Sequence, residues 1–399
     1  MTDLPVLKLK RNEDRRIRQG HLWIFSNEVD TTNTPLKAFE PGDVVAIEDA
    51  RGKLLGTGYV NPHSLIAARL VSRDRNHPFD ASLIVHRLKV ALSMRERLFP
   101  APYYRLVFGE GDGLPGLVVD RFDDVLVVQI TTAGMERQRQ AIVDALVKVV
   151  APAAIVLRND SPIRDLEGLA RYVEMASGEM PERLTVVEHG SRFEAPLAGG
   201  QKTGWFYDQS DNRRDLGRWV RGARVLDVFS YVGGWGVQAV AQGAESALCL
   251  DESPLAIEHV TRNARINGVD DQVGTLRGEA FAALKSLKAD EQRFDVVVVD
   301  PPAFIKRKKD FRKGLDAYQR INGLAMRLLS RDGILISCSC SHHLGRDDLV
   351  QALNRAVRHI GGRRLQILWQ GGQAVDHPVH PAIPETSYLK AVVCRVVRS

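Results

Sequence analysis

Val225-Leu226-Asp227-Val228-Phe229-Ser230-Tyr231-Val232-Gly233-Gly234-Trp235-Gly236 starts as an apolar strand bearing an acid and runs through a glycine-rich turn toward a helix. Doubly wound folds bring a ligand close to the backbone at the carboxyl end of such a strand. The spacing of Gly233, Gly234 and Gly236 is not G-x-G-x-x-G, and Trp235 obstructs a pyrophosphate, so a dinucleotide is disfavoured. Asp251 closes the next strand, where an acid meets ribose hydroxyls. Glu279 stands where a third strand should end, placed to accept the adenine amino hydrogen. Asp227, Ser230, Gly233, Asp251 and Glu279, with no phosphate cradle, suit a nucleoside carrying a charged amino-acid tail: S-adenosylmethionine. Read singly, Asp251 and Glu279 are also ordinary helix caps.

Outward from this stretch, apolar strands and helices alternate from about residue 191. Strands are expected at Arg224 to Phe229, Ser246 to Asp251, Asp295 to Asp300 and Gly333 to Ser337. This is the pattern of a parallel sheet covered on both faces, an α/β Rossmann-like domain. Leu365 to Trp369 and Leu389 to Val397 follow with no helix between them, which predicts an antiparallel edge.

Asp295-Val296-Val297-Val298-Val299-Asp300-Pro301-Pro302-Ala303-Phe304 is a buried strand stopped by an acid and two prolines. The prolines end the ladder and hold the backbone extended, with carbonyls free to accept from a planar base. Phe304 is a candidate to stack on an extruded base. The next strand ends in Ser337-Cys338-Ser339-Cys340-Ser341, which sets a thiol beside Asp300. Carbon 5 of cytosine is too poor a nucleophile to take a methyl group unaided, and addition of a thiolate to carbon 6 makes it enamine-like. Asp300, bonded at ring nitrogen 3, stabilises the charge that develops. Cys340, past the strand's end, is preferred to Cys338 as nucleophile, and Cys249 and Cys394 read as buried hydrophobes. The thiolate needs neighbouring cations to lower a reference pKa of about 8.5. His342 and His343 follow closely, but neither is assigned as a base. Lys306, Arg307, Lys308 and Lys309, with Phe304 and Phe311 interleaved, form a basic run suited to RNA phosphates, or simply a solvated loop.

Upstream lie a candidate small β-barrel (1–72) and a central α+β region (73–190), before the 191–399 domain. The barrel is expected from short strands at Asp43 to Glu48, Lys53 to Tyr59 and Ser64 to Leu70. A basic stretch from Lys8 to Arg18 touches phosphates or forms a solvated helix. In the central region, Gly109 to Gly116 reads as a turn, and the polar Ser177 to Glu182 as a connection. The 399 residues favour several domains, and no apolar run approaches the roughly 20 residues that span a bilayer. The first residues lack a secretory signal and only four cysteines occur, which together predict a reducing, cytoplasmic setting with no membrane partner. Cysteine spacing disfavours zinc, so no metal is expected. The net charge of +6 is compatible with a polyanionic partner and is weak evidence alone.

Across nearly its whole length the sequence resembles the large-subunit ribosomal RNA methyltransferase I family. The resemblance rests on His21-Leu22-Trp23-Ile24-Phe25-Ser26, Gly113-Leu114-Pro115-Gly116 with Asp120-Arg121-Phe122, and Glu188-His189-Gly190. It continues through Lys202-Thr203-Gly204-Trp205-Phe206-Tyr207-Asp208-Gln209, Asp300-Pro301-Pro302 and Ser339-Cys340-Ser341. It implies a PUA fold for the first segment and a class I methyltransferase domain with a seven-stranded, mostly parallel sheet. It also implies a cofactor contact from the Asp208-Gln209 region, Cys340 as nucleophile, and ribosomal RNA or its assembly particle as partner; Asp300 and Pro301 are further candidate cofactor contacts. Cys338, a second thiol before the Ser-Cys-Ser triplet, departs from that pattern. Two other functions fit the residues: a guanine or adenine N-methyltransferase using Asp300-Pro301-Pro302, and a noncatalytic RNA-binding assembly factor. The oligomeric state, a homodimer included, stays open.

Overall fold

The computed structural model describes residues 4–180, 183–197 and 203–398. Lys202 of the family-like run and Pro181-Glu182 of the polar connection lie outside them. The chain forms two compact units, one of Met1–Leu184 with Gly200–Trp205 and Asp376–Thr386, the other of Thr185–Gly199, Phe206–Val375 and Ser387–Ser399.

The first unit opens with β1 (Val6–Lys8), the one-turn helix α1 (Arg15–Arg18), β2 (Trp23–Phe25), β3 (Val44–Glu48), β4 (Leu54–Val60) and β5 (Ile66–Ser72). Their order is β1-β3-β4-β5-β2. An antiparallel bridge from Leu9 to Val29, with Lys10 N–H on Glu28 O at 2.9 Å, joins the two ends of that order and closes a small barrel. Alternation along β3 sends Val45 and Ile47 inward onto Leu7, Ile24 and Leu70. Within the basic stretch Arg15–Arg18 form a helical turn in which Ile17 is buried, while Arg16 pairs with Glu28 and Arg18 with Asp14 and Asp49.

Next come α2 (Ala81–Leu98), β6 (Tyr103–Phe108), β7 (Leu117–Phe122), β8 (Val125–Ile130), α3 (Ala133–Arg137), α4 (Arg139–Val150), β9 (Ala154–Asn159) and β10 (Tyr172–Ser177). The sheet order is β10-β9-β8-β7-β6. The glycine-rich stretch after β6 is a turn, as expected, and Asp112 within it holds the fully buried Arg95 through both carboxylate oxygens.

The second unit holds the hairpin β11 (Leu184–Glu188) and β12 (Ser191–Ala195), then α5 (Ser210–Arg214), α6 (Gly217–Val220) and β13 (Arg224–Val228). It continues with α7 (Gly236–Ala241), β14 (Ser246–Asp251), α8 (Pro254–Ile266), β15 (Val273–Arg277), α9 (Ala280–Ala289) and β16 (Phe294–Val299). Then follow α10 (Phe311–Leu328), β17 (Leu329–Ser339), α11 (Arg346–Arg358), β18 (Arg363–Gly371) and β19 (Lys390–Arg398). Seven strands form one sheet in the order β15-β14-β13-β16-β17-β19-β18. Successive strand residues feed opposite faces: Leu226, Val297, Val299 and Leu335 pack under α9, α10 and α11, while Val225, Val296, Val298 and Ile336 meet Trp235 and Ala239.

The last two strands form the antiparallel edge that the sequence suggested, but in swapped order. β19 runs antiparallel to both β17 and β18, and β18, reached from β17 through α11, is the edge. A helical crossover sets β18 one strand space away from β17, and the last strand fills that gap.

Candidate active site

The strand order reverses beside β13, and here the carboxyl ends of β13, β14 and β16 gather the acids picked out in the sequence. The loop after β13 is backbone-strained: Phe229 and Tyr231 sit at φ 67° and 48°, and Gly233 at 87°. It is held there because Phe229 and Ser230 N–H both bond Leu250 O, and Tyr231 N–H donates to Asp251 Oδ2 at 2.9 Å. Gly236 starts α7, and a Cβ there would lie 2.3 Å from Cys249 Sγ, so only glycine fits.

Asp227 is fully buried and accepts Gly236 N–H through Oδ2 at 2.8 Å. Its Oδ1 and the Ser230 Oγ are buried without a partner among the described residues. Burial, aided by the charges of Asp300 and Asp251, pushes the Asp227 carboxyl up to about 7. Unsatisfied buried acceptors and a reluctant carboxylate together make a receptacle for a cationic, hydroxyl-bearing ligand. Asp251 spends one acceptor position on Tyr231 and one on Ser253 N–H, leaving lone pairs for ribose hydroxyls. This donor set fits S-adenosylmethionine.

Asp300, just past β16, is the hub. Gln209 Nε2 donates to both its carboxylate oxygens at 3.0 Å, and the Trp235 indole N–H to Oδ2 at 3.1 Å. Gln209 is oriented in turn by Asn212 Nδ2 at 2.6 Å. Behind them Arg213 forms a buried bidentate pair with Glu188, to which Gln238 also donates. The sequence marked Trp235 only as an obstruction; its role as a donor to Asp300 was not anticipated.

β16 and β17 are neighbours in register, Val299 opposite Ser337, so Cys338 is still within the strand and Cys340 has just left it. Cys338 is fully buried, and burial raises its thiol well above the ordinary value. Cys340 is half-buried, its Sγ 3.8 Å from the Pro301 carbonyl. The residues on either side of it are pinned: Ser339 Oγ donates to Tyr318 Oη at 2.9 Å, and Ser341 Oγ lies 2.9 Å from the same hydroxyl and accepts Ile305 N–H.

Among the proposed cofactor residues, Gln209 and Pro301 lie with Asp300, and Asp227, Ser230, Gly233 and Asp251 surround the glycine turn. Glu279 resolves differently: it is exposed, and its two oxygens cap α9 by accepting Phe281 and Ala282 N–H at 3.1 and 2.8 Å. Phe304 packs among Phe229, Phe281 and Tyr318, the last at 4.9 Å between ring centroids, and so belongs to an aromatic cluster. Lys306, Arg307, Lys308 and Lys309 are exposed, Arg307 pairing with Asp310. Among the described residues there is no metal-holding cluster and no helix long and apolar enough to cross a membrane.

A sheet of this order with ligand-seeking acids at its switch point defines an S-adenosylmethionine-dependent methyltransferase. The family model described as S-adenosylmethionine-dependent methyltransferase matches residues 104–367, and one described as PUA-like domain matches 7–73. The chain is 37% identical, over all of both chains, to ribosomal RNA large subunit methyltransferase I of Klebsiella pneumoniae subsp. pneumoniae. It is 36% identical over 98% of both to the protein of that name from Salmonella arizonae. The chain belongs to the ribosomal RNA large subunit methyltransferase I family, and its cofactor is S-adenosylmethionine. Two solved structures share the fold: a SAM-dependent methyltransferase from Streptococcus mutans (TM-score 0.82, 18% identity, 98% of this chain and 100% of that one) and a methyltransferase complexed with SAH (0.84, 19%, 98% and 100%).

Proposed function

We propose that this chain methylates carbon 5 of a cytosine in large-subunit ribosomal RNA, free or within an assembly particle, through a covalent bond from Cys340 to carbon 6. The observation that carries this reading is the position of Cys340, half-buried and 3.8 Å from Pro301 O, where a base entering the acid-proline-proline turn meets a thiol. When bound, S-adenosylmethionine supplies an electrophilic methyl group. Asp227, Ser230, Gly233 and Asp251 hold it, with Gln209 and Pro301 at the reacting end. As the thiolate adds, ring nitrogen 3 takes up a proton from water, and Asp300, fixed by Gln209 and Trp235, accepts the hydrogen bond of that N–H and stabilises the adduct. Loss of the carbon 5 proton to water, expulsion of the Cys340 thiolate and release of the nitrogen 3 proton then restore the aromatic ring and the enzyme.

In this reading 191–399 performs the chemistry, while 1–72 and 73–190 grip the RNA. Lys306, Arg307, Lys308 and Lys309 meet phosphates, because they are exposed and carry four cations in a row. The test is transfer of labelled methyl groups to ribosomal RNA, with the product nucleoside identified by mass. 5-Methylcytosine, absent with Cys340→Ala, is expected. A methylated purine made equally by both proteins would overturn the reading in favour of an exocyclic amine.

A further inference from the structure

A thiolate at Cys340 requires a cation, and the neighbouring strand carries one in an unusual place. β19 starts at Lys390, which the antiparallel register sets opposite Ser339, the residue before Cys340. Only 7% of Lys390 is exposed, and apolar buried residues follow it from Ala391 to Cys394. Among the described residues its ammonium forms no ion pair with a carboxylate. Nζ donates instead to two carbonyls, Ser341 O at 2.5 Å and Tyr388 O at 2.8 Å. An ammonium has three donors, and the third has no partner among the described residues. Burying such a group without an acid is expensive, so a purely structural role for it is poorly matched to its cost.

We propose that Lys390 is the positioning residue that keeps Cys340 a thiolate, the two forming an ammonium–thiolate pair. This rests on Cys340 being the nucleophile. The electrostatics agree: burial pushes Lys390 down to about 8, and the largest opposing influence is the charge of Cys340. Arg346 and Asp348 of α11 act on Lys390 with opposite signs. On the far side, Asp300 and Cys340 both raise the Cys338 thiol, so Asp300 is an anion near the same spot and increases the need for a cation. When the pair forms from a thiol and a free amine, the S–H bond breaks and one N–H bond forms on Lys390. As Sγ bonds carbon 6, its electron pair enters the ring and the ammonium is left with the two carbonyls. Expulsion of the thiolate at the end of turnover re-forms the pair, with no other reagent consumed.

The experiment is alkylation of Cys340 by iodoacetamide as a function of pH in the full chain, read by mass spectrometry in a Cys338→Ala background so that one thiol in the segment reports. The Cys340 profile should have its midpoint below the reference thiol value of about 8.5. Lys390→Gln should move that midpoint up by about one unit and slow labelling at pH 7 about ten-fold, and Lys390→Arg should restore most of it. Identical midpoints with and without Lys390 would overturn the proposal. Binding of S-adenosylmethionine by each variant checks its fold; if Lys390→Gln fails that check, a midpoint at or above the reference in the parent protein overturns the proposal by itself. Cys340→Ala that still methylates would sink the nucleophile reading, whatever the alkylation shows. An unshifted midpoint beside an inactive Cys340→Ala would remove Lys390 alone.

Discussion

The loop after β13 and the turn after β17 lie in one sheet yet are built on opposite terms. Around the first, Asp227 Oδ1 and Ser230 Oγ are buried without a partner among the described residues, and two non-glycine residues hold positive φ. Around the second, the hydroxyls of Ser339, Tyr318 and Ser341 are tied to one another, and Lys390 holds the Ser341 carbonyl. Under the proposed function this difference is a division of labour: the side assigned to the cofactor leaves polar groups to be completed by a ligand, whereas the Cys340 side is completed by the protein itself. Strain and unsatisfied groups persist where a ligand repays them. A reacting atom, by contrast, must be held still before its substrate arrives.

The largest effect expected is at Asp300, where the two sides meet. Asp300→Ala removes the acceptor of Gln209 and Trp235 and should lower kcat about 10²–10³-fold in the methyl-transfer assay, with the thermal midpoint little changed. A comparable fall in stability instead would make Asp300 a structural hub. Next is Gly236→Ala, whose added Cβ meets Cys249 Sγ at 2.3 Å. It should cost about 1–3 kcal/mol in chemical denaturation and weaken cofactor binding in calorimetry.

Asp227 offers a pH test of the unsatisfied side. Its folded value of about 7 stands above an ordinary 3.8, so the folded protein holds this proton more tightly than the unfolded chain does. Ionising it therefore costs stability: the cost is absent below 3.8, grows as pH rises from 3.8 to about 7, and is complete above that. Asp227→Asn should flatten that part of the stability profile, measured by denaturation between pH 4 and 8, and weaken S-adenosylmethionine binding. Profiles that superimpose would mean that Asp227 does not titrate as its burial requires.

On the satisfied side, Tyr318→Phe deletes the hydroxyl shared by Ser339 and Ser341 and should cost about 1–2 kcal/mol by denaturation, with a lower kcat and an unchanged cofactor affinity. The smallest effect is expected at Glu279. Glu279→Ala should lose about 1 kcal/mol as a helix cap and leave cofactor affinity nearly unaltered. A ten-fold loss of affinity would reinstate the adenine contact read from the sequence.

These residues also show what a sequence makes legible. Features carried by one stretch of chain were readable: the acid and glycines after β13, the acid and prolines after β16, and Cys340 just beyond a strand. Each depends on neighbours a few residues away. Features made by distant pairing were not. Nothing local says that β19 enters between β17 and β18, and only that pairing brings Lys390 opposite Ser339. The trace it left was a lone cation at the head of an apolar strand. The Trp235 bond to Asp300 likewise joins two loops whose approach follows from β13 and β16 being neighbours. Glu279 was ambiguous because an acid after a strand serves equally as a cap or as a ligand, and only its bonds to α9 separate the two.

The account stands on the bond between Cys340 and carbon 6, and that bond can be caught. RNA carrying 5-fluorocytidine has no carbon 5 proton to lose, so an adduct formed on it cannot resolve after methyl transfer. Incubated with S-adenosylmethionine, the wild-type protein should give a stable protein–RNA species under denaturing conditions, mapped by mass spectrometry to Cys340 and missing from Cys340→Ala. An adduct that survives Cys340→Ala and maps to Cys338, or none at all from a protein that methylates the unmodified RNA, would contradict it.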